Sequence, residues 1–216
     1  MNPRSAQFDR RRRRFIGKLG NSVLPATDFS SFAHPIFWLH KARELRRAAM
    51  VLADQSLRDW ESKNFSAPVD QFFLLAAFSL ENLLKGVALS RDPALIGIDK
   101  RGHYTLKGIL RSHDLVELSR IVGLVLSREE LMFCRLAGEA SVYWGRYPVP
   151  CSSSEPIRGR AVTSSAFEFF GEFFVRTEQM YPQDCLAQAA ITDQSNAEAR
   201  ERYRENMRDV GAEPLR

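Results

Sequence analysis

The sequence predicts an all-α protein, an up-and-down bundle of four to five core helices with a disordered basic N-terminal tail before it and an extra C-terminal helix after it. Three observations carry that expectation. Apolar residues recur three and four positions apart over several long segments, and proline, glycine and helix-capping residues separate those segments. Apolar–polar alternation of the strand type occurs only in short fragments. With 216 residues and 44% apolar content, the chain has material for one well-buried core and is short for two. The expected division is a basic, mostly irregular tail over 1–31, the bundle over 32–185 and a charged helical extension over 186–216.

The first helix is expected to begin at Pro35, whose fixed φ suits a first helical position, and to run to about Trp60. Trp38, Ala42, Leu45, Ala49 and Leu52 make its apolar stripe, and Lys41, Arg43, Glu44, Arg46 and Arg47 make its polar side. After Ser66-Ala67-Pro68 comes the most apolar segment, Phe72 to Phe78, which continues through Leu80, Leu83, Leu84 and Val87 to the stop at Arg91-Asp92-Pro93. Its length and its Ala, Leu, Glu and Lys content favour a central helix over a buried strand. Residues 94–112, with Gly97, Gly102 and Gly108, read as a connecting loop containing a helical turn.

Asp114 with Glu117, and Ser127 with Glu130, carry the cap-x-x-Glu signature of helix starts, for helices over about 115–122 and 128–145. The second of these has the stripe Phe133, Leu136, Ala137, Ala140 and Trp144. Residues 147–163 read as a loop, and Ser165 with Glu168 as the start of a helix to about Tyr181. Phe167, Phe169, Phe170, Phe173 and Phe174 spread around more than half of that helix, so one neighbour cannot bury them all. The helix is expected either to be sandwiched within the bundle or to contribute to a homodimer surface. Ser195 with Glu198 is expected to open a last, charged helix outside the core.

The formal charge of +5 is unevenly placed. Of the 31 basic side chains, Arg4, Arg10, Arg11, Arg12, Arg13, Arg14 and Lys18 lie in residues 1–20 with one of the 26 acids, Asp9, leaving 24 bases against 25 acids elsewhere. The run Arg10 to Arg14 with Lys18 has the density to neutralise phosphates and bind nucleic acid without sequence preference; a solvated extension is the other role open to it. No apolar run suggests a membrane span, and no apolar stretch with a cleavage site follows the arginines. Cys134, Cys151 and Cys185 form no Cys-x-x-Cys pair, which fits a reducing, cytoplasmic setting.

Phosphate-binding glycine loops, the dinucleotide fingerprint, His-Glu-x-x-His and the nucleophile elbow are all missing. His34, His40, His103 and His113 have no recognisable metal-ligand spacing, so neither a metal nor another cofactor is expected. Four places remain that could carry chemistry. Glu81 and Lys85 stand four residues apart in the most apolar helix, with Asn82 and Ser79 nearby. Burial there demands a partner, and a local Glu–Lys pair at the edge of the core satisfies that demand as well as a functional site does. His113 precedes the cap residue Asp114, where it can staple against Leu118, or serve as an acid, base or phosphate ligand. Arg146 and Tyr147 lie where a helix meets a proline-bounded loop, and are placed either to bind phosphate and stack a base or to cap the helix end.

Taken in order, Ala77-Phe-Ser-Leu-Glu81-Asn-Leu-Leu-Lys85-Gly, His113-Asp114-Leu115-x-x-Leu118, Leu126-Ser-x-Glu-Glu and Gly145-Arg146-Tyr147-Pro148 resemble the HEPN superfamily over roughly residues 35–181. The resemblance implies a helical bundle that is commonly a homodimer, found in toxin–antitoxin, phage-defence and RNA-processing proteins and beside nucleotidyltransferases. Active HEPN ribonucleases share an Arg-x(4–6)-His motif that cleaves RNA without metal. Arg146 is the nearest match, but residues 147–154 contain no histidine, and Arg101 and Arg111 each stand only two residues before one. The expectation is therefore a non-catalytic protein that binds RNA or a nucleotide, with Glu81, Asn82, Lys85, His113, Arg146 and Tyr147 around its pocket. A cognate antitoxin or nucleotidyltransferase is the implied partner. A metal-independent ribonuclease rearranged around Arg146 and His113, and a purely structural or partner-binding bundle, are the alternatives.

Overall fold

The computed structural model of the chain describes residues 33–63, 68–142, 145 and 162–209. The basic tail with Arg10, Arg11, Arg12, Arg13, Arg14 and Lys18, and the pair Arg146 and Tyr147, lie outside the described residues, as do Trp144 and Cys151. Six α-helices are described: α1 (Pro35–Glu61), α2 (Val69–Arg91), α3 (Leu115–Ile121), α4 (Arg128–Val142), α5 (Ser165–Glu178) and α6 (Gln183–Asp209). Between α2 and α3 the chain forms an antiparallel hairpin of β1 (Ile96–Ile98) and β2 (Tyr104–Leu106), flanked by two 3-10 turns. The architecture is an all-α bundle.

Cross-helix contacts set the directions. Gly86 of α2 lies against Trp38 of α1, and Ser79 Oγ donates to the Ala42 carbonyl at 2.9 Å, so α1 and α2 are antiparallel. Trp60 stacks on Phe167 while Arg43 reaches Glu178, so α5 is antiparallel to α1. Glu130 meets Arg176 and Phe133 meets Phe170, which makes α4 antiparallel to α5. The helices α1, α2, α4 and α5 thus form the up-and-down bundle, with α3 as a short side piece and α6 laid on α1.

Helix α2 is the centre. Fourteen of its residues are buried, from Phe72 to Leu89, and it alone is long and apolar enough among the described helices to span a bilayer. In this fold 78% of that apolar window is covered by the other helices. Phe72 packs edge-on against Phe73, Phe167 and Phe170, and Phe133 sits among Phe73, Phe169, Phe170 and Phe173. The phenylalanine-rich helix is sandwiched, since Phe167, Phe170, Phe173 and Phe174 are buried and Phe169 is partly so. Each such ring pair adds about 0.5–1.5 kcal/mol beyond the area it buries.

Four local expectations need correction. The 94–112 connection has its helical turn, a 3-10 turn over Gly108–Arg111, but is built on a hairpin instead of a loop, because strands of three residues are too short to establish an alternating pattern. The buried stripe of α1 runs through Leu39, Ala42, Ala49, Ala53 and Ser56, with Trp38, Leu45 and Leu52 only partly buried. Arg46 lies on that same stripe, and its guanidinium sits 4.9 Å from the centroid of the Phe174 ring. Ser165 does not cap α5: Ser164 holds the cap position without a side-chain bond, while Ser165 Oγ lies 2.7 Å from Thr163 Oγ1.

The last helix starts at Gln183, not Ser195, so the boundary at 185/186 cuts through it. Ala189 is fully buried, and Arg43 binds both Glu178 at 2.6 Å and Asp193 at 2.8 Å, so the first turns of α6 belong to the core. Burial opposes the charge of Arg43, and the hydrogen bond and charge of Glu178, followed by Asp193, outweigh that and raise its pKa. From Gln194 to Ala199 the helix is exposed. The cap of α4 forms as the sequence implies. Ser127 N donates to Glu130 Oε2 at 2.7 Å and Glu130 N to Ser127 Oγ at 3.2 Å, the reciprocal pair of a capping box.

Candidate functional site

Glu81 and Lys85 face each other one turn apart on α2, with Lys85 Nζ donating to Glu81 Oε1 at 2.6 Å. Both are inside the protein rather than at the core's edge, at 7% and 4% exposure. An unpaired charge there would be strongly unfavourable, and pairing together with hydrogen bonding is what makes the position tenable. The other oxygen of Glu81, Oε2, lies 3.0 Å from Nδ1 of His113. One carboxylate thus holds a buried ammonium on one side and an imidazole on the other.

His113 reaches it because the connector before α3 is tightly built. Asp114 Oδ1 accepts from the backbone N–H groups of Val116 and Glu117, capping α3. Glu117 does not reach back to the cap backbone as a capping box would; its Oε2 accepts from Ser112 Oγ, which itself accepts from Asp114 N. These bonds fix both neighbours of His113 and leave its side chain 61% exposed on the solvent side of the Glu81 contact. With the proton on Nδ1 directed at the carboxylate, Nε2 is the ring nitrogen available to a ligand.

His113 stands at the wall of a shallow cleft of about 530 Å³ between the start of α3 and one face of α4. Asp114, Leu115, Val116, Cys134, Arg135, Gly138, Glu139 and Val142 complete it. Of the predicted pocket residues that are described, only His113 lines this cleft; Glu81 and Lys85 sit behind it. Asn82 directs its amide to the Phe78 carbonyl of its own helix at 2.7 Å and lines no part of the cleft. Val142, four positions before Arg146, ends the α4 wall. The N–H of Gly145 donates to the Ala140 carbonyl, and a Cβ on Gly145 would fall 2.6 Å from that oxygen.

The chain matches no protein-family model, no curated protein and no solved structure.

The site therefore stands on its geometry. Cys134 is not a nucleophile there: burial, with the nearby charge of Glu130 and then Asp114, pushes its thiol up to about 12, so it stays protonated at neutral pH. Among the described residues no group of three or more His, Cys, Asp or Glu is placed to hold a metal ion. What the cleft can offer is one oriented imidazole, the cation of Arg135, two carboxylates and a short apolar floor. Sequence reasoning missed Arg135 and Glu139. The spacing 135, 138, 139 and 142 does place one face of α4 together, but nothing in that spacing says that α3 stands across from it.

Proposed function

We propose that the chain is a HEPN-like protein that binds RNA or a nucleotide in a defence or toxin–antitoxin setting and does not cleave it. The observation that carries the reading is the oriented His113, held on the buried Glu81–Lys85 pair at the wall of a cleft. An imidazole with one nitrogen tied to a carboxylate offers the other as an acceptor to a hydroxyl or a base N–H when neutral, and as a donor to a phosphate when it carries both protons. The resemblance of the Glu81, Lys85, His113 and Gly145-Arg146-Tyr147 segments supports the family, a homodimer, and a cognate antitoxin or nucleotidyltransferase partner. Cleavage without metal needs a base to activate the 2′-hydroxyl and an acid for the leaving oxygen, and the Arg-x(4–6)-His spacing that brings a histidine to Arg146 is missing.

A second reading has its own observation. A histidine oriented by a carboxylate is the arrangement of a general base, so a ribonuclease built on His113 and Arg146 is the competing function. The experiment is incubation of purified protein with a mixed RNA pool in EDTA, read for binding and for cleavage. Wild type is compared with His113→Ala, with Arg146→Ala and with a chain lacking residues 1–20. Binding without cleavage that weakens in His113→Ala and survives loss of residues 1–20 is expected. Cleavage abolished by either single substitution establishes the ribonuclease instead, and neither binding nor cleavage leaves a structural or partner-binding bundle.

A further inference from the structure

The hairpin between α2 and α3 concentrates charge that the composition of residues 21–216 conceals. From Ile96 to Arg111 the chain carries Lys100, Arg101, Lys107 and Arg111 with His103, against one carboxylate, Asp99. All six of these side chains belong to exposed residues. Asp99 is bonded within the tip. Its Oδ1 accepts from the backbone N–H groups of Arg101 at 2.8 Å and His103 at 2.9 Å, while Asp99 N donates to the His103 carbonyl. Gly102, at φ +80°, permits this tight closure. The only acid of the arm is engaged within it, Oδ1 by two backbone N–H groups and Oδ2 at 3.6 Å from His103 Nδ1, and Lys100, Arg101, Lys107 and Arg111 make no ion pair among the described residues.

The register gives the arm two different faces. Ile96 pairs with Leu106 and Ile98 with Tyr104, so these four share one side, and Ile96 and Leu106 pack against the core. The pair Gly97 and Thr105 faces the other way. The stem of Lys107 crosses Gly97, since a Cβ there would lie 3.5 Å from Lys107 Cε. Arg111 folds back onto the same side, with Nη2 donating to Thr105 Oγ1 at 2.8 Å and Nε to the Leu106 carbonyl at 3.1 Å. This face carries two cations over a small-residue surface, with two more at its tip, a charge complementary to a polyanion. Ser112 and His113 continue directly from Arg111 toward the cleft.

We propose that this hairpin is an RNA-binding arm that holds the phosphate backbone of a strand whose next segment lies at the His113 cleft. The proposal rests on the RNA-binding reading above and adds to it the surface that engages the polyanion. Phosphate contacts of this kind supply affinity and register without base specificity, and they release counterions.

The test measures fluorescence anisotropy of a labelled mixed-sequence RNA of about 20 nucleotides against full-length protein, between about 50 and 200 mM salt. The neutral triple Lys100→Ala, Arg101→Ala, Lys107→Ala is compared with wild type and with the charge-keeping triple Lys100→Arg, Arg101→Lys, Lys107→Arg. A separate chain carries alanine at Arg10 to Arg14. Arg111 is left in place because it anchors the strands. The neutral triple is expected to lower the slope of log affinity against log salt by about 2, at about 0.7 per lost phosphate contact on a single strand. The charge-keeping triple is expected to retain the slope, and any loss caused by the tail substitutions is expected to add to that of the hairpin. Wild-type binding with an unchanged slope in the neutral triple overturns the arm while leaving RNA binding intact. Equal weakening by both triples also overturns it, since shape rather than charge would then matter. No binding by wild type removes both proposals.

Discussion

Replacing Gly86 with alanine separates what a helix prefers locally from what this bundle allows. In an exposed helix interior the change stabilises by about 1 kcal/mol, because alanine has less backbone freedom to lose. Here a Cβ would fall 1.8 Å from the Tyr181 hydroxyl, 2.8 Å from its Cζ and 2.9 Å from Trp38 Cβ. Tyr181 has little room to withdraw. It is buried to 2% exposure, and its hydroxyl donates to the Leu83 carbonyl at 3.2 Å. Relieving the overlap means displacing that ring or parting α1 from α2. Overpacking of this kind costs about 1–3 kcal/mol, and a lost buried hydrogen bond adds about 1 kcal/mol. Set against the propensity gain, Gly86→Ala is expected to destabilise by about 1–3 kcal/mol. Urea unfolding followed by far-UV circular dichroism reads this as a lower midpoint at unchanged slope. Tyr181→Phe removes the nearest clashing atom, so Gly86→Ala should cost less in that background than in wild type. A neutral or stabilising Gly86→Ala, or strict additivity with Tyr181→Phe, would refute the packing argument.

Glu81→Leu strands Lys85 without its carboxylate and should cost about 3–5 kcal/mol, whereas Glu81→Leu with Lys85→Met should recover most of it, as read from a double-mutant cycle in urea. Strictly additive single effects would mean that the pair is not coupled. At pH 8 the Cys134 thiol, at about 12 against an ordinary 9.0, should react with a disulfide reagent on the order of 1,000-fold more slowly than a thiol of ordinary pKa, from its thiolate fraction alone. Fast labelling of every cysteine in native protein would contradict its burial. The same shift has a consequence for stability. Between about pH 9 and about 12 the unfolded chain releases a proton that folded Cys134 retains, so stability falls as pH rises, by at most about 1.4 kcal/mol per pH unit from this group. Burial also raises Tyr181, which adds to the loss above its ordinary value of 10.0; Cys134→Ala should flatten the decline without abolishing it. Ser127→Ala removes half of the capping box and should cost about 1 kcal/mol in thermal or urea unfolding.

Much of the candidate site was legible in residue types and little of it in residue positions. Two charges in the most apolar segment demanded partners, and spacing alone paired Lys85 with Glu81, because residues four apart share a helix face. The second partner, His113, is 32 positions away, and no local rule joins them. Its neighbour Asp114 was readable as a cap for the opposite reason, since a cap acts within three residues. Asn82 stands near Glu81 on the helical wheel, but its amide donates to the Phe78 carbonyl of its own helix and takes no part in the cleft.

The sequence by itself determined the helical class, the central place of Val69–Arg91, the proline start of α1 and the caps of α3 and α4, because helix periodicity and capping are interactions of a few residues. It also required that Phe167, Phe170, Phe173 and Phe174 be covered from more than one side. Tertiary structure decided which neighbours do the covering, and it drew the start of α6 into the core through Ala189 and the Arg43–Asp193 contact, which nothing near Ser195 could signal. It decided that Gly86 makes room for Tyr181, 95 positions on. It also made the glycine-marked connection a basic hairpin. Its strands are too short to show a period, and a hairpin this small is stable because Ile96 and Leu106 pack on the core.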